Sequence, residues 1–82
     1  MQTYSVSGQS VTVNAEEGYA ILRGKKYIAV SDSYPNNGYW KIRFLCPDDN
    51  SEFFLIYDLP QNIGCKDVIF QQPSDLKETY HG

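Results

Sequence analysis

Residues 3–14 read Thr3-Tyr4-Ser5-Val6-Ser7-Gly8-Gln9-Ser10-Val11-Thr12-Val13-Asn14, and they give the clearest indication of local structure in the chain. Polar and apolar residues alternate on both sides of Gly8-Gln9, which is typical of two half-buried strands joined by a tight turn. A glycine at the first central position of a two-residue loop indicates a type II′ hairpin. Because successive side chains of a strand point to opposite faces, we expect the apolar side chains of both strands to share one buried face. These side chains are Tyr4, Val6, Val11 and Val13.

The chain continues as short apolar segments separated by turn residues. Further strands are predicted over residues 19–22, 25–31, 39–46, 52–58 and 67–70. The predicted connections are a turn at residues 15–18, a turn at Arg23-Gly24, a loop over residues 32–38, a turn over residues 47–51 and a loop over residues 59–64. A helix over residues 15–22 is the competing interpretation, but Gly18 and Gly24 leave little room for one.

Strand number and spacing predict the fold class. Six or seven strands at spacings of about 8 to 12 residues are typical of a small antiparallel sandwich or barrel, so we expect an all-β fold. We expect one β domain over residues 1–72 and a polar C-terminal tail over residues 73–82. Asp75 and Glu78 could form a weak capping pair on one helical turn of that tail, or the tail could be frayed.

Two later segments indicate where the core lies. In residues 39–46, we expect one face to be core and the other to be half-exposed. The expected core face consists of Trp40, Ile42, Phe44 and Cys46. The expected half-exposed face consists of Tyr39, Lys41, Arg43 and Leu45. Residues 52–58 are apolar on both faces, which favours either a central strand or part of an interface.

Charge is distributed unevenly along this chain of 82 residues. The formal net charge is −3, yet residues 23–43 carry five basic residues and one acidic residue. Such a dipolar surface suits steering toward a charged partner, although an ordinary mixed surface is the alternative. No apolar run approaches the roughly 20 residues that span a bilayer, and residues 1–4 do not resemble a signal peptide. A mature secreted protein that carries a starter Met would also lack a signal peptide. We expect a secreted protein in preference to a cytoplasmic one.

The residues that catalysis would need are sparse. His81 is the only histidine, and it lies next to the C-terminus, so a Ser or Cys nucleophile has no base. Each of the glycines at positions 8, 18, 24, 38 and 64 stands singly, which gives no phosphate-binding loop. The acidic pairs at residues 16–17 and 48–49 fall in predicted turns. We therefore expect a protein that is not an enzyme and that has no cofactor and no metal site.

The two cysteines, Cys46 and Cys65, leave two possibilities open. They could form one disulfide, which would stabilise a loop of this size by about 3 kcal/mol in the chain-entropy model. They could equally be two buried thiols that behave as small apolar residues.

Basic and aromatic residues alternate on two strands that we expect to pair. The candidate binding residues are Lys25, Lys26, Tyr27, Tyr39, Lys41 and Arg43. This pattern suits an acidic protein surface, and an exposed strand edge could add a partner strand. It also matches single-stranded nucleic-acid grooves, where cations meet phosphates and bases stack on rings. The sequence pI near 4.8 makes nucleic acid the less favoured partner. We expect a monomer or weak dimer.

The segment Gly64-Cys65-Lys66-Asp67-Val68-Ile69-Phe70 places a cysteine just before the predicted last strand of a unit of about 80 residues. In this respect the chain resembles the MAX-type small secreted effectors of plant-pathogenic fungi. That family usually has its partner cysteine near the first strand, whereas the other cysteine here is Cys46. The resemblance implies a six-stranded β-sandwich that binds a host protein, often by edge-strand pairing. A further alternative that the composition allows is a phage-encoded inhibitor of a bacterial defence system.

Overall fold

The computed structural model describes residues 1–34 and 38–80. Its strands form one antiparallel sheet that is nearly closed into a barrel. Seven strands follow chain order, and each pairs with the next. The strands are β1 (Gln2–Val6), β2 (Gln9–Asn14), β3 (Tyr19–Leu22), β4 (Lys25–Ser33), β5 (Trp40–Leu45), β6 (Ser51–Tyr57) and β7 (Asp75–Tyr80). The all-β prediction is confirmed. The middle of the predicted loop 32–38 and the terminal His81 lie outside the described residues.

The first hairpin has the predicted strands and a different turn. Val6 pairs with Gln9, which leaves Ser7 and Gly8 as the two-residue loop. Both have positive φ, 51° for Ser7 and 77° for Gly8, the combination that a type I′ turn requires and a type II′ turn lacks. The prediction misplaced the loop by one residue, because Gly8 is the second central residue. The expected face is buried, and it consists of Tyr4, Val6, Val11 and Val13.

The segment predicted as the last strand, residues 67–70, is largely a short helix, α1 (Cys65–Ile69). Val68 and Ile69 are adjacent in sequence, and both are buried in the same core. Two neighbouring side chains of a strand would point to opposite faces, so this burial does not fit the predicted strand. The β-branched side chains favour a strand locally, but tertiary packing overrides that preference.

The predicted polar tail is instead β7, the last strand of the sheet. Asp75–Tyr80 pairs antiparallel with β6, and Leu76 lies opposite Leu55. Leu76 is buried, whereas Lys77 and Thr79 are exposed. Main-chain pairing with β6 places this polar segment in the sheet. Within residues 75–79, Leu76 alone is apolar, and this alternation is too weak to reveal the strand.

The centre of the core lies between β4, β5 and β6. The rings of Phe44 and Phe53 are stacked with centroids 5.0 Å apart, and Tyr27 meets Phe53 edge-on at 4.8 Å. Side chains of β6 are buried on both faces, which confirms the central-strand interpretation of this segment. Trp40 differs from its prediction. It is only partly buried at the start of β5, where its indole N–H donates a hydrogen bond to the carbonyl of Pro60.

The connection between β6 and β7 crosses one end of the barrel. Ile56 pairs with Asp75, so β6 ends and β7 begins at the same end of the sheet. Helix α1 lies within this connection and contributes Val68 and Ile69 to the core. The hydroxyl of Tyr4 on β1 donates a hydrogen bond to the carbonyl of Phe70, which joins the first strand to this end of the molecule.

Candidate functional site

The six predicted binding residues do not share one face. Residues 25–27 are consecutive in β4, so their side chains alternate between the two sides of the sheet. Lys26 and, from β5, Lys41 and Arg43 belong to the outer side. Tyr39 directly precedes β5 and is half-buried. Lys26, Lys41 and Arg43 therefore share the outer side of the sheet, with Lys26 near the start of β4 and Lys41 opposite its last residue, Ser33, whereas Tyr27 faces inward.

Tyr27 is part of the core. Its side chain is 2% exposed, and its hydroxyl lies 3.2 Å from Oγ of the buried Ser51. The prediction that Tyr27 is a contact residue is wrong. Tyr27 and Ala29 lie two residues apart in β4, so both side chains point to the inner side of the sheet. A partner on the surface cannot reach it.

Lys25 supports the turn between β5 and β6. Its Nζ lies 2.5 Å from a carboxylate oxygen of Asp49. Asp49 also accepts hydrogen bonds from the backbone N–H and the hydroxyl of Ser51. The bond from Lys25, followed by those from Ser51, holds the pKa of Asp49 well below its usual range. Lys25 is exposed, but it lies at the end of the barrel with this turn.

Arg43 pairs with a buried carboxylate on the neighbouring strand. Its Nε lies 2.5 Å from Oε2 of Glu52, whose side chain is 5% exposed. A buried carboxylate needs a charged or hydrogen-bonding partner. Arg43 therefore neutralises Glu52 and leaves little of the Glu52 charge to meet a partner.

Lys26 and Lys41 lie over aromatic rings on the outer side of the sheet. Nζ of Lys26 is 4.4 Å from the centroid of Tyr19, and Nζ of Lys41 is 4.2 Å from the centroid of Phe54. Both distances suit a cation–π contact. The rings hold the two ammonium groups close to the surface of the sheet.

Two apolar side chains lie exposed beside these lysines. Ile28 is 44% exposed and Val30 is 46% exposed. The pairing of β4 with β5 shifts register between Ala29 and Ser31, and Val30 occupies this β-bulge. We call the set Lys26, Ile28, Val30, Lys41 and Phe54 the basic–apolar face.

A cavity of about 230 Å³ adjoins the bulge. It is lined by Ala29, Val30, Ser31, Asp32, Ile42, Cys65 and Ile69. Burial, followed by the hydrogen bond and negative charge of Asp32, raises the pKa of the Cys65 thiol to about 12. The thiol therefore keeps its proton at neutral pH, and its S–H donates a hydrogen bond to the Asp32 carboxylate.

Tyr57 carries a further buried polar group. Among the described residues, its hydroxyl has no hydrogen-bond partner. Burial raises the pKa of Tyr57 above its ordinary value, and interactions with Tyr4 and Cys65 raise it further.

The two cysteines are free thiols, so the disulfide candidate Cys46–Cys65 is not formed. Cys65 lines the cavity together with Ile42 of β5. Cys46 lies four residues beyond Ile42 along the chain, which corresponds to about 13 Å of extended backbone. A disulfide requires its two Cα atoms to lie within about 7 Å, which this placement does not provide.

Within residues 1–34 and 38–80, no group of three or more His, Cys, Asp or Glu side chains could hold a metal ion. The same residues contain no helix that is long and apolar enough to cross a membrane. No family model, curated protein or solved structure matches this chain.

Sequence reasoning missed three features of this region. Ile28 could have been found, because alternation from Lys26 places it on the outer side. The bulge at Val30 has no glycine to mark it. The contact between Asp32 and Cys65 joins residues far apart in the chain, and the predicted strand over residues 67–70 concealed the helix that makes it.

Proposed function

We propose that this chain is a non-enzymatic protein-binding module and that its basic–apolar face docks on an acidic protein surface with an apolar centre. The exposure of Ile28 and Val30 between two ring-bound lysines carries the proposal. An effector or inhibitor that engages a host protein is the biological role that suits such a module. The resemblance to MAX-type effectors stays a prediction.

The apolar part of this face supplies the binding energy. Single apolar side chains are common on surfaces, but two within three residues of one strand form a patch. Ile28 is paired on both sides, with Tyr19 and with Leu45, so the backbone that carries its side chain is fixed. Binding to a backbone that is already ordered costs less conformational entropy.

The charge of the face favours an acidic partner. Lys26 and Lys41 contribute two positive charges, and Arg43 neutralises Glu52. The rest of the chain is acidic, so the partner would be oriented toward this side during approach. Charge complementarity of this kind raises association rates and excludes wrong partners.

The edge of β4 offers a second means of attachment. Pairing with β3 covers β4 only from Lys25 to Ile28, whereas β4 continues to Ser33. Residues 30–33 are all exposed. An extended segment of the partner could add main-chain hydrogen bonds here, next to the basic–apolar face.

Comparative capture from candidate host lysates tests the proposal. The wild-type protein is compared with Ile28→Ser, Lys41→Glu and the matched control Lys66→Glu, which makes the same charge change at an exposed residue of α1. We expect a protein that wild type and Lys66→Glu capture equally and that Ile28→Ser and Lys41→Glu bind at least about tenfold more weakly. Equal binding by all four proteins would remove the face from consideration.

A nucleic-acid partner is separated from a protein partner by salt. Binding to a labelled oligothymidine is measured by fluorescence anisotropy over a range of salt concentrations. If Lys41 contacts phosphates, the affinity should fall steeply as the salt concentration rises, and the affinity of Lys41→Glu should be lower than that of the wild type. That result would favour the single-stranded nucleic-acid interpretation over the proposal. Arg43 is unsuitable for either test, because its substitution leaves Glu52 buried without this partner.

A further inference from the structure

The cavity beside the β4 bulge lies at the end of the barrel that α1 crosses. Its wall on the β4 side contains Ala29 and Asp32, and its wall on the α1 side contains Cys65 and Ile69. The mouths of β-barrels are common positions for small-molecule sites. Such sites are mostly apolar and contain a few polar groups that fix the orientation of the ligand.

The lining has this composition. Most of the side chains are apolar, namely Ala29, Val30, Ile42 and Ile69. The polar groups are the Asp32 carboxylate, the Cys65 thiol and Ser31. Asp32 lies opposite the inward-facing Ile42 in the ladder, which places it on the cavity side of β4.

The volume sets the size of the ligand. A cavity of about 150 Å³ lined by apolar side chains accommodates benzene. The present cavity of about 230 Å³ is larger, so it accommodates one ring with a short substituent.

The charge of the lining sets the chemistry of the polar end. Cys65 is protonated at neutral pH, so Asp32 provides the one formal charge among the described residues that line the cavity. A carboxylate beside apolar walls favours a cationic group that can also donate hydrogen bonds. An ammonium group has three donors and can share Asp32 with the Cys65 thiol.

We propose that this cavity binds a small apolar molecule that carries a primary ammonium group, with the ring or short chain against Ile42 and Ile69 and the ammonium on Asp32. The site is separate from the proposed protein-binding function and does not depend on it. The shared residue Val30 places the two next to each other.

Titration with benzylamine, benzyl alcohol and toluene tests the proposal. Backbone amide NMR shifts report where each probe binds and how tightly. We expect benzylamine to shift residues 29–32 and 65–69 and to bind about tenfold more tightly than benzyl alcohol. The Asp32→Asn variant should bind the amine and the alcohol equally. The control Asp58→Asn, which makes the same change at an exposed carboxyl outside the lining, should keep the preference.

Alkylation of Cys65 gives a second measurement on the unmodified protein. Bound benzylamine should slow the reaction of Cys65 with iodoacetamide, whereas benzyl alcohol at the same concentration should slow it much less. The proposal is overturned if no probe shifts residues 29–32, if amine and alcohol bind equally to the wild type, or if the preference survives in Asp32→Asn. If Asp32→Asn does not fold, the alkylation measurement is sufficient by itself: the proposal is overturned if benzylamine does not protect Cys65 in the wild type.

Discussion

Arg43 and Glu52 form a diagonal pair on the outer side of the sheet. Arg43 lies opposite Phe54, and Glu52 lies opposite Leu45, so the guanidinium reaches along the strands to the carboxylate. The Glu52 side chain is buried, whereas the Arg43 side chain is 40% exposed. Arg43 thus remains at the surface while its guanidinium pairs with the buried carboxylate of Glu52.

This pair predicts that Arg43 acts chiefly in stability. Arg43→Ala should lower the free energy of unfolding by about 1.5 kcal/mol, the low end of the range for a hydrogen bond to a charged group, because Arg43 is half-exposed. Urea denaturation measures the change. The control Lys66→Ala removes an exposed charge from α1 and should leave the midpoint almost unchanged. Equal midpoints for the two variants would show that Glu52 does not depend on Arg43.

Tyr27 should behave as a core residue. Tyr27→Phe removes the hydroxyl that faces Ser51 and should lower the free energy of unfolding by about 1 kcal/mol. Tyr27→Ala also removes the ring that packs on Phe53 and should lower it by about 3 to 5 kcal/mol. Chemical denaturation measures both values. A stable Tyr27→Ala variant with impaired partner binding would restore Tyr27 as a contact residue.

The first hairpin should depend on the backbone freedom of Gly8. A Cβ at this position would contact nothing within 4 Å, so the penalty of Gly8→Ala comes from its φ of +77° alone. We expect a loss of about 1 to 2 kcal/mol in the free energy of unfolding. Gly64→Ala is the matched control, because Gly64 has a φ of −68° and its Cβ would meet Asp67 at an ordinary 3.5 Å. Thermal and urea unfolding of both variants check the difference.

The raised pKa of Cys65 predicts slow alkylation at neutral pH. The rate should rise with pH toward the thiol pKa of about 12, because only the thiolate reacts. Asp32→Asn removes the negative charge that opposes ionisation, so it should speed the reaction at pH near 8. Iodoacetamide labelling followed by mass spectrometry measures the rates, with Asp58→Asn as the control. A Cys65 that reacts as fast as a free thiol at neutral pH would contradict this account.

The same shift has a consequence for stability. Folding raises the pKa of Cys65 above its value in the unfolded chain, so the protonated thiol favours the folded state. This contribution is fully present below the unfolded pKa of about 8.5 and is lost as the pH rises toward the folded value. Urea midpoints measured from pH 7 to pH 10 should therefore fall more in wild type than in Cys65→Ser.

Local alternation predicted the strands whose inward residues are apolar. It placed Val11 and Val13 on one buried face, and it placed Ile42 and Phe44 in the core. It failed where the backbone, and not the side chains, determines the structure. Within residues 75–79 of β7, Leu76 is the one apolar residue, and the β4 bulge leaves no sequence mark.

The candidate site was less predictable than the fold. The sequence pattern predicts Lys25, Lys26 and Tyr27 as one set of binding residues, whereas strand geometry places the side chains of neighbouring residues on opposite sides of the sheet. The cavity could not be foreseen, because it joins β4 to α1 across more than thirty residues of chain. Its two polar groups, Asp32 and Cys65, carry no common motif.

The number of strands also determines how the barrel can open. In an up-and-down sheet of seven strands, β1 and β7 run in the same direction, and the described strand pairs stop at these two edges. The side-chain contact from Ser7 to Asp75 spans this gap at 3.3 Å without a ladder. The molecule therefore has one built-in seam, and thermal breathing should begin there, so the amide protons of β1 and β7 should exchange with solvent long before those of β5.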